Sequence, residues 1–492
     1  MAHSNANASF PIPVLRGDYP DPSIVRVGEN YYMTHSSFMY APGLQIWHSR
    51  NLINWSPLCY ALKVYMGDVW APDLVYVNGL YYIYFPANGT NYVIYAEKAE
   101  GPWSDPIDLQ VDGIDPGHLL GKDGQRYLYV NFGRAATLAP DGLSVTGDLR
   151  TVYEGWPIPQ DWATEGMALE SPKLLIRGEY YYLICAQGGT AGPATSHMAV
   201  AARSNNPLGP WENSPYNPLV HTWSREERWW SKGHGTLVDA SDGQWYFVYH
   251  AYEKDYYTLG RQTLLDPIEW TEDEWPVISP NTVREAGWAE GSAPNLSDDF
   301  RGAELGWQWR FYRELNPERY QVGGGVLRLK AQGNSLSDSA PLVVIPPDHA
   351  YEAEVQIKIG PGAETGLILF YNDRCYAGIG FTEHEIFRLR RGAKSYPIEG
   401  QGCLLHLKLY NDCHTVTMFY STDGMHWNRF PAALEVSGYH HNSFGEFISL
   451  RLGIYAAGRG EAEFSEFRYR SVQTVKSYIL PLGQLDGHLP ER

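Results

Sequence analysis

The chain has 492 residues, with 38 Lys and Arg against 56 Asp and Glu, and a formal net charge of −18. A chain this acidic excludes nucleic acid and anionic membrane surfaces as expected partners. Its five cysteines form no CxxC pair, which argues against a zinc site or a disulfide framework. The length predicts at least two domains, and without a signal-peptide pattern or an apolar membrane-spanning run we expect a cytoplasmic protein.

One pattern recurs five times before residue 250. Each copy is a polar turn, a few apolar residues, a second turn and a strand rich in Tyr or Trp. Periods of 42 to 64 residues between strand-rich units are typical of propeller blades. The sequence therefore predicts an all-β domain over residues 10–285, a five-bladed β-propeller. One polar residue heads each blade near the axis, and these five heads are Asp21, Asp73, Asp115, Glu170 and His234.

The texture of the sequence changes after a turn-rich stretch. Residues 286–296 lack strand character and are predicted to be a linker. Longer alternating strands follow, such as AYEAEVQIKIG (350–360) and LLHLKLYND (404–412). Such strands predict a two-sheet β-sandwich of jelly-roll type over residues 297–475. Residues 476–492 are predicted to be a C-terminal tail.

Carboxylates and an imidazole that crowd around one axis have a chemical consequence. Like charges and burial raise the pKa of at least one carboxyl group. Hydrolysis of a glycosidic bond with inversion needs this asymmetry, because one carboxylate accepts a proton from water while a protonated one donates to the leaving oxygen. The five heads therefore suggest a glycoside hydrolase site.

Several motifs carry a resemblance to glycoside hydrolase family 43, of the β-xylosidase and α-L-arabinofuranosidase type. The C-terminal part resembles the concanavalin A-like sandwich that follows the propeller in many β-xylosidases of this family. The motifs of the propeller part are GDYPDPSI (17–24), WAPDL (70–74), ESPKLLIRGEYYYL (170–183), GHGTLVD (233–239) and LGRQTLLDPIEW (259–270). Those of the C-terminal part are SDDFRG (297–302) and TGLILFYNDRCYAGIGF (365–381).

The resemblance implies roles for three carboxylates. Asp21 is expected to be the general base, Glu170 the general acid and Asp73 the third carboxylate, which tunes the pKa of the acid. The sequence has ESPK where the family commonly has EGPH, and Glu165 just upstream is a rival acid. We prefer Glu170 because it precedes Tyr180 by the same ten residues that separate Asp21 from Tyr31. Asp115 is expected to form a structural turn.

The resemblance also implies substrate contacts. Arg261 is expected to contact sugar hydroxyl groups, and His234 to lie at the axis beside the substrate. His234 is also the candidate ligand if Ca²⁺ binds there, although no cofactor is required by the implied reaction. An apolar sugar face pairs well with an aromatic ring. The stacking candidates are Trp70, Phe38, Trp162 and either Trp229 or Trp230.

The expected function is an inverting exo-glycosidase that removes terminal β-D-xylosyl residues from xylo-oligosaccharides. An α-L-arabinofuranosidase acting on arabino-oligosaccharides, or an enzyme with both activities, is the second reading. A non-enzymatic carbohydrate-binding propeller is the third. The sequence leaves a homo-oligomer open.

Overall fold

The computed structural model describes residues 11–279 and 294–472. These residues divide into two compact units, one of residues 11–255 and 261–279, the other of residues 256–260 and 294–472. Most of the predicted linker and the whole predicted tail therefore lie outside the described residues. The short segment 256–260 groups with the second unit, which the sequence did not indicate.

The first unit contains five antiparallel sheets in chain order. The first blade has the strands Ser23–Val27, Asn30–Thr34, Gly43–Ser49 and Ser56–Leu62; the short strand Tyr40–Ala41, which lies between the second and third in the chain, is not part of this sheet. The second has Asp73–Val77, Leu80–Ala87, Thr90–Ala96 and Ile107–Asp108. The third has Gly117–Leu120, Arg126–Val130, Arg134–Leu138 and Arg150–Thr151.

The fourth and fifth blades carry extra short strands. The fourth has Glu170–Arg177, Tyr180–Gln187, Met198–Ser204, Glu212–Asn213 and Val220–His221. The fifth has Trp229–Asp239, Trp245–Glu253, Arg261–Trp270 and Pro276–Ile278. It is completed by the N-terminal strand Ile12–Leu15, which pairs with Arg261–Trp270. The start of the domain thus pairs with its last blade.

The innermost strands form a closed ring. Each contacts the innermost strand of the next blade, and that of the fifth contacts that of the first. Apolar layers fill the spaces between neighbouring blades. One such layer joins Tyr82 and Tyr84 of the second blade to Leu128 and Val130 of the third. These Tyr residues lie on the aromatic strand that the repeat predicts, so burial between blades explains the aromatic content, and the predicted five-bladed propeller is confirmed.

The second unit is a sandwich of two antiparallel sheets, as predicted. One sheet has the strand order Ala393–Glu399, Glu385–Arg390, Cys375–Phe381, Ala363–Asn372, Arg451–Gly458, Leu342–Val344 and Arg310–Tyr312. The other has the order Tyr320–Gly323, Val326–Lys330, Glu461–Ser471, Ala350–Ile359, Leu404–Asp412, Thr415–Ser421 and Asn428–Arg429, and Leu434–Glu435 also pairs with Thr415–Ser421.

Helix is scarce in the described residues. They contain one four-residue α-helix, His441–Phe444, and three short 3₁₀ turns at Tyr257–Leu259, Pro317–Arg319 and Leu336–Asp338. Among these residues no helix has the length and apolar character needed to cross a membrane.

Candidate active site

The polar heads differ in their backbone conformation. Asp21, Asp115 and His234 have φ angles of 58°, 55° and 52°, in the left-handed region that Asp and His adopt more readily than most residues. Each marks a sharp change of direction at the inner edge of a blade. Asp73, in contrast, begins a regular strand and pairs with Tyr84. The five heads are therefore not equivalent in structure.

An extra residue in the innermost strand shapes the head of blade four. Glu170 pairs with Ala186 and Lys173 pairs with Ile184. The first strand therefore advances by three residues where its partner advances by two. This is a β-bulge, and Ser171 within it has a φ of 54°. In a regular strand, residues three apart point to opposite faces. The bulge removes that constraint between Glu170 and Lys173.

Blade five has two such irregularities. Its innermost strand shifts register between Trp230 and Gly233 and again between Gly233 and Thr236. Gly233 allows a close approach there, because a Cβ atom at this position would lie 2.2 Å from the ring of His197. The irregular segment places His234 against the carboxylate of Asp21.

Asp21 is buried and surrounded by donors. Its Oδ1 accepts a hydrogen bond from a guanidinium nitrogen of Arg261 at 2.9 Å and lies 3.3 Å from Nδ1 of His234. Its Oδ2 accepts from the hydroxyl of Ser36, and its backbone N–H donates to Nδ1 of His250 at 3.1 Å. Burial opposes ionisation, but Arg261 and the two histidines outweigh it and hold the pKa of Asp21 well below its usual range. Asp21 is therefore ionised at neutral pH.

Glu170 has the opposite protonation. Burial raises the pKa of this partly exposed carboxyl well above its usual range, and the nearby charges of Asp115 and Asp21 raise it further. Its Oε1 accepts a hydrogen bond from the Thr190 hydroxyl at 3.4 Å. Its carboxylate oxygen lies within 4.8 Å of ring nitrogens of His197 and His234. Glu170 therefore holds its proton in the range where Asp21 has lost its own.

Asp115 lies in a turn, and its side chain contacts the start of the Glu170 strand. Its Oδ2 accepts the backbone N–H of Ser171 at 3.2 Å, and Nδ1 of His234 lies 4.0 Å from the same oxygen. Burial raises the pKa of Asp115 to about 7, the charge of Asp21 adds to this, and Lys173 opposes it. Asp115 is the residue whose charge acts most strongly on Glu170.

Asp73 faces a different set of partners. Its Oδ1 accepts from Nζ of Lys173 at 2.9 Å and from the hydroxyl of Ser23 at 3.2 Å, and its Oδ2 accepts from the backbone N–H of His118 at 2.7 Å. The pKa of Glu170 is raised by burial and then by the charges of Asp115 and Asp21. Lys173 engages Asp73 directly, and the role of Asp73 as the third carboxylate stays a prediction.

Glu165, the alternative candidate for the general acid, is hydrogen-bonded to backbone groups of a loop. It is exposed, and its Oε2 accepts hydrogen bonds from the backbone N–H groups of Ala191 and Gly192, both at 3.2 Å. Its own N–H donates to the Ser196 hydroxyl at 2.7 Å. Glu165 thus fixes the loop that follows the second strand of blade four.

The predicted substrate-binding residues fall into two groups. Arg261 and Phe38 are 4% and 3% exposed, and the Arg261 guanidinium lies 5.6 Å from the centre of the Phe38 ring. The Phe38 ring therefore packs against the Arg261 guanidinium. Trp70 is 37% exposed and keeps a ring surface available. Trp162 stacks on His221 at 4.5 Å, and Trp229 is buried in the core between blades four and five. Sugar stacking by these rings stays a prediction.

His234 and two further buried histidines, His197 and His250, form a cluster. Burial lowers the pKa of His234 to about 3 and that of His250 to about 4, so both rings are neutral at neutral pH. His197 stacks on His250 at 5.3 Å, and burial lowers its pKa well below the usual range. Four ring nitrogens lack a hydrogen-bond partner among the described residues. They are both nitrogens of His197, Nε2 of His234 and Nε2 of His250.

These histidines also test the predicted calcium site. Asp21 with His234 and His250, and Glu170 with His197 and His234, form two groups with ligand atoms within 4.8 Å of one another. Each group offers two imidazoles and one carboxylate, whereas Ca²⁺ takes about six to eight oxygen ligands. The Asp21 carboxylate is also already bonded to Arg261. The donor set fits calcium poorly, and His234 as a metal ligand stays a prediction.

Sequence reasoning missed several residues of the site. Ser36, His197 and His250 lie away from the heads in sequence, whereas Lys173 follows Glu170 by three residues and is placed by the bulge. His250 could have been found, because the hairpin of blade five pairs it with Gly233, next to His234. For the other three, no pattern in one sequence marks them.

A closed ring of five blades with one ionised and one protonated carboxyl group near its axis defines a glycoside hydrolase of the propeller class. The family model for glycosyl hydrolases family 43 matches residues 10–276, more than half of the chain. The model for the concanavalin A-like C-terminal domain of β-xylosidases matches residues 297–470. The chain therefore belongs to glycosyl hydrolase family 43.

Individual relatives agree with this assignment. A non-reducing end alpha-L-arabinofuranosidase of Bacteroides ovatus is 27% identical over 95% of this chain and 96% of its own. A beta-xylosidase of Bacillus subtilis is 26% identical over 94% of this chain and 99% of its own. The crystal structure of a xylan beta-1,4-xylosidase from Bacillus halodurans matches with a TM-score of 0.84 and 27% identity, over 94% of this chain and 100% of the other.

Proposed function

We propose that this hydrolase is an exo-acting, inverting β-D-xylosidase that releases terminal xylosyl residues from xylo-oligosaccharides. The observation that carries the proposal is the opposite shift of two carboxyl groups at one axis, with the pKa of Asp21 lowered and that of Glu170 raised. Two carboxyl groups with pKa values pushed apart are the requirement for simultaneous base and acid catalysis.

In this mechanism Asp21 is the general base. Its carboxylate takes a proton from a water molecule as the water oxygen attacks the anomeric carbon. Glu170 gives its proton to the glycosidic oxygen as the bond between that oxygen and the anomeric carbon breaks. The products are a sugar of inverted configuration and a shortened saccharide. Afterwards Asp21 holds a proton from the water, Glu170 has lost its proton to the leaving sugar, and exchange with solvent restores both groups.

We propose that Asp115 tunes the pKa of the general acid, Glu170. The sequence assigned this role to Asp73. Support comes from the charge of Asp115, which acts on Glu170 more strongly than any other group. When Asp115 is ionised, loss of the proton from Glu170 would place two negative charges side by side. Asp115 therefore keeps Glu170 protonated at a pH where a solvent-exposed glutamate would be ionised.

Arg261 is proposed to serve the base and the substrate together. One guanidinium nitrogen holds Asp21 at 2.9 Å, and a planar fork of donors can also bind sugar hydroxyl groups. Trp70, with its exposed ring, is the best placed of the predicted stacking residues.

An α-L-arabinofuranosidase, or an enzyme with both activities, is the second candidate. Relatives carry both kinds of name: the protein from Bacteroides ovatus is an arabinofuranosidase, the one from Bacillus subtilis is a beta-xylosidase, and one from Butyrivibrio fibrisolvens is a xylosidase/arabinosidase. Rates on p-nitrophenyl β-D-xyloside and p-nitrophenyl α-L-arabinofuranoside, measured side by side, decide between them.

Two further measurements test the mechanism. Proton NMR of the first sugar released from a β-xyloside should show the α-anomer before mutarotation mixes the two. Retention of configuration would refute the inverting mechanism. If the purified protein binds xylo-oligosaccharides but hydrolyses neither them nor the aryl glycosides, the carbohydrate-binding alternative replaces the proposal.

A further inference from the structure

Lys173 is a buried cation that the reaction scheme above does not use. It lies on the innermost strand of blade four, three residues after Glu170, and is 3% exposed. A buried ammonium group is costly unless its donors are satisfied and its charge is paired. The surroundings of Lys173 meet both conditions.

The ammonium group has three donors and makes three hydrogen bonds. Nζ donates to Oδ1 of Asp73 at 2.9 Å, to the carbonyl oxygen of Pro72 at 2.8 Å and to that of Pro116 at 3.3 Å. Pro72 precedes Asp73, and Pro116 follows Asp115. A side chain from blade four thus holds the head turns of blades two and three.

A second link joins the strand of blade four to the turn of blade three. The backbone N–H of Ser171, directly after Glu170, donates to Oδ2 of Asp115 at 3.2 Å. The start of the Glu170 strand is therefore bonded to the turn of blade three at two points, Ser171 to the Asp115 side chain and Lys173 to the Pro116 carbonyl. The bulge between Glu170 and Lys173 permits both contacts from one strand.

We propose that Lys173 is a positioning residue for hydrolysis: with Asp73 as its counter-ion, it fixes the Asp115 turn against the Glu170 strand and so aligns the proton donor. This role rests on the proposed function. It also gives Asp73 a place in the site, as the group that pairs with Lys173. The direction of the electrostatic effect agrees, because Lys173 opposes the rise in the pKa of Asp115.

The test is the double variant Lys173→Met with Asp73→Asn. Met keeps most of the apolar stem, and removing both charges leaves no unpaired ion in the interior. If Lys173 positions the acid, kcat on xylobiose falls by about tenfold to a hundredfold, since a displacement of about 1 Å at a reacting group can cost about 10²-fold. The kcat on dinitrophenyl β-xyloside, whose leaving group needs no proton, changes less than about threefold. KM changes little for either substrate.

The matched control lies on the same strand. Arg177 pairs with Glu274 at 3.4 Å, near the exposed end of the strand, and neither residue contacts the site. Arg177→Met with Glu274→Gln should leave both rates and their ratio unchanged. Equal losses on the two xylosides in the Lys173 and Asp73 variant would show a general structural defect and overturn the proposal. Rates within twofold of wild type on both would also overturn it.

Two safeguards keep the outcome interpretable. If the double variant does not fold by circular dichroism, Lys173→Gln, which retains an amide donor at this position, should show the same selective loss on xylobiose. An unchanged ratio in that variant would overturn the proposal. If wild-type protein hydrolyses neither xyloside, the proposed function fails before the positioning role is reached.

Discussion

Replacement of Glu170 by Gln removes the proposed proton donor with almost no change in shape. A positioned general acid contributes about 10²–10⁴-fold to the rate, and its contribution grows with the basicity of the leaving group. Xylobiose leaves a strongly basic sugar alkoxide, so we expect its hydrolysis to fall at least about 10²-fold. A dinitrophenyl glycoside leaves as a stable phenolate and should lose far less. The alkaline limb of the pH–rate profile should also flatten, because that limb follows loss of the proton from Glu170, whose pKa is raised.

Glu165 is the matched control, five residues upstream in the same blade. Its carboxylate accepts two backbone N–H bonds at an exposed position, and Gln keeps an acceptor there. We expect Glu165→Gln to lower the free energy of unfolding by about 1 kcal/mol or less, with the ratio of the two substrates unchanged. Steady-state kinetics on both glycosides, from pH 4 to 10, make the comparison. The assignment of the acid is refuted if the selective loss appears at Glu165, or if Glu170→Gln hydrolyses xylobiose at nearly the wild-type rate.

Three further predictions follow from the site. Asp21→Asn should fold yet lose activity on every substrate, since no leaving group activates the attacking water; activity within tenfold of wild type, in enzyme free of contaminating hydrolase, would remove Asp21 from that role. Asp115→Asn removes the charge that raises the pKa of Glu170, so the alkaline limb of kcat/KM should move to lower pH; a limb that stays in place contradicts the modulating role. His234→Ala should lower kcat through loss of its contact with Asp21. Dialysis against EDTA should leave the kcat of the wild-type enzyme unchanged, because the donor set suits calcium poorly. A loss of activity that Ca²⁺ restores would show that a metal is needed.

The fold could be predicted from the sequence because the repeat reflects two physical requirements. Tight turns between strands need residues such as Asn78-Gly79 and Asp123-Gly124, and the strands that pack between blades need large apolar rings. Both recur at fixed offsets, so the five blades and their inner edges could be predicted. Asp21 and Glu170 were found by the same offset, and the structure brings both to the axis.

The third carboxylate, which we propose is Asp115, could not be chosen in the same way. Asp73 and Asp115 occupy equivalent places in the repeat, and both lie in short Pro-containing turns. What separates them is backbone geometry, since Asp115 has a φ of 55° while Asp73 begins a regular strand. A change in the φ angle of one residue, or a bulge of one residue, changes which way a side chain points without changing the pattern of residue types. One sequence therefore gives no basis for the distinction.

The partners of these carboxylates also explain why two acidic groups at one axis take opposite protonation states. Two of the buried cations among the described residues are bonded to carboxylates at the site. Arg261 is bonded to Asp21, and Lys173 is bonded to Asp73. Arg261 and the two neighbouring histidines outweigh burial and lower the pKa of Asp21. Burial and the charges of neighbouring carboxylates instead raise the pKa of Asp115 and that of Glu170. Because ionising both Asp115 and Glu170 would bring two negative charges together, the pair retains a proton, and the raised pKa of Glu170 favours holding it where the leaving oxygen requires it.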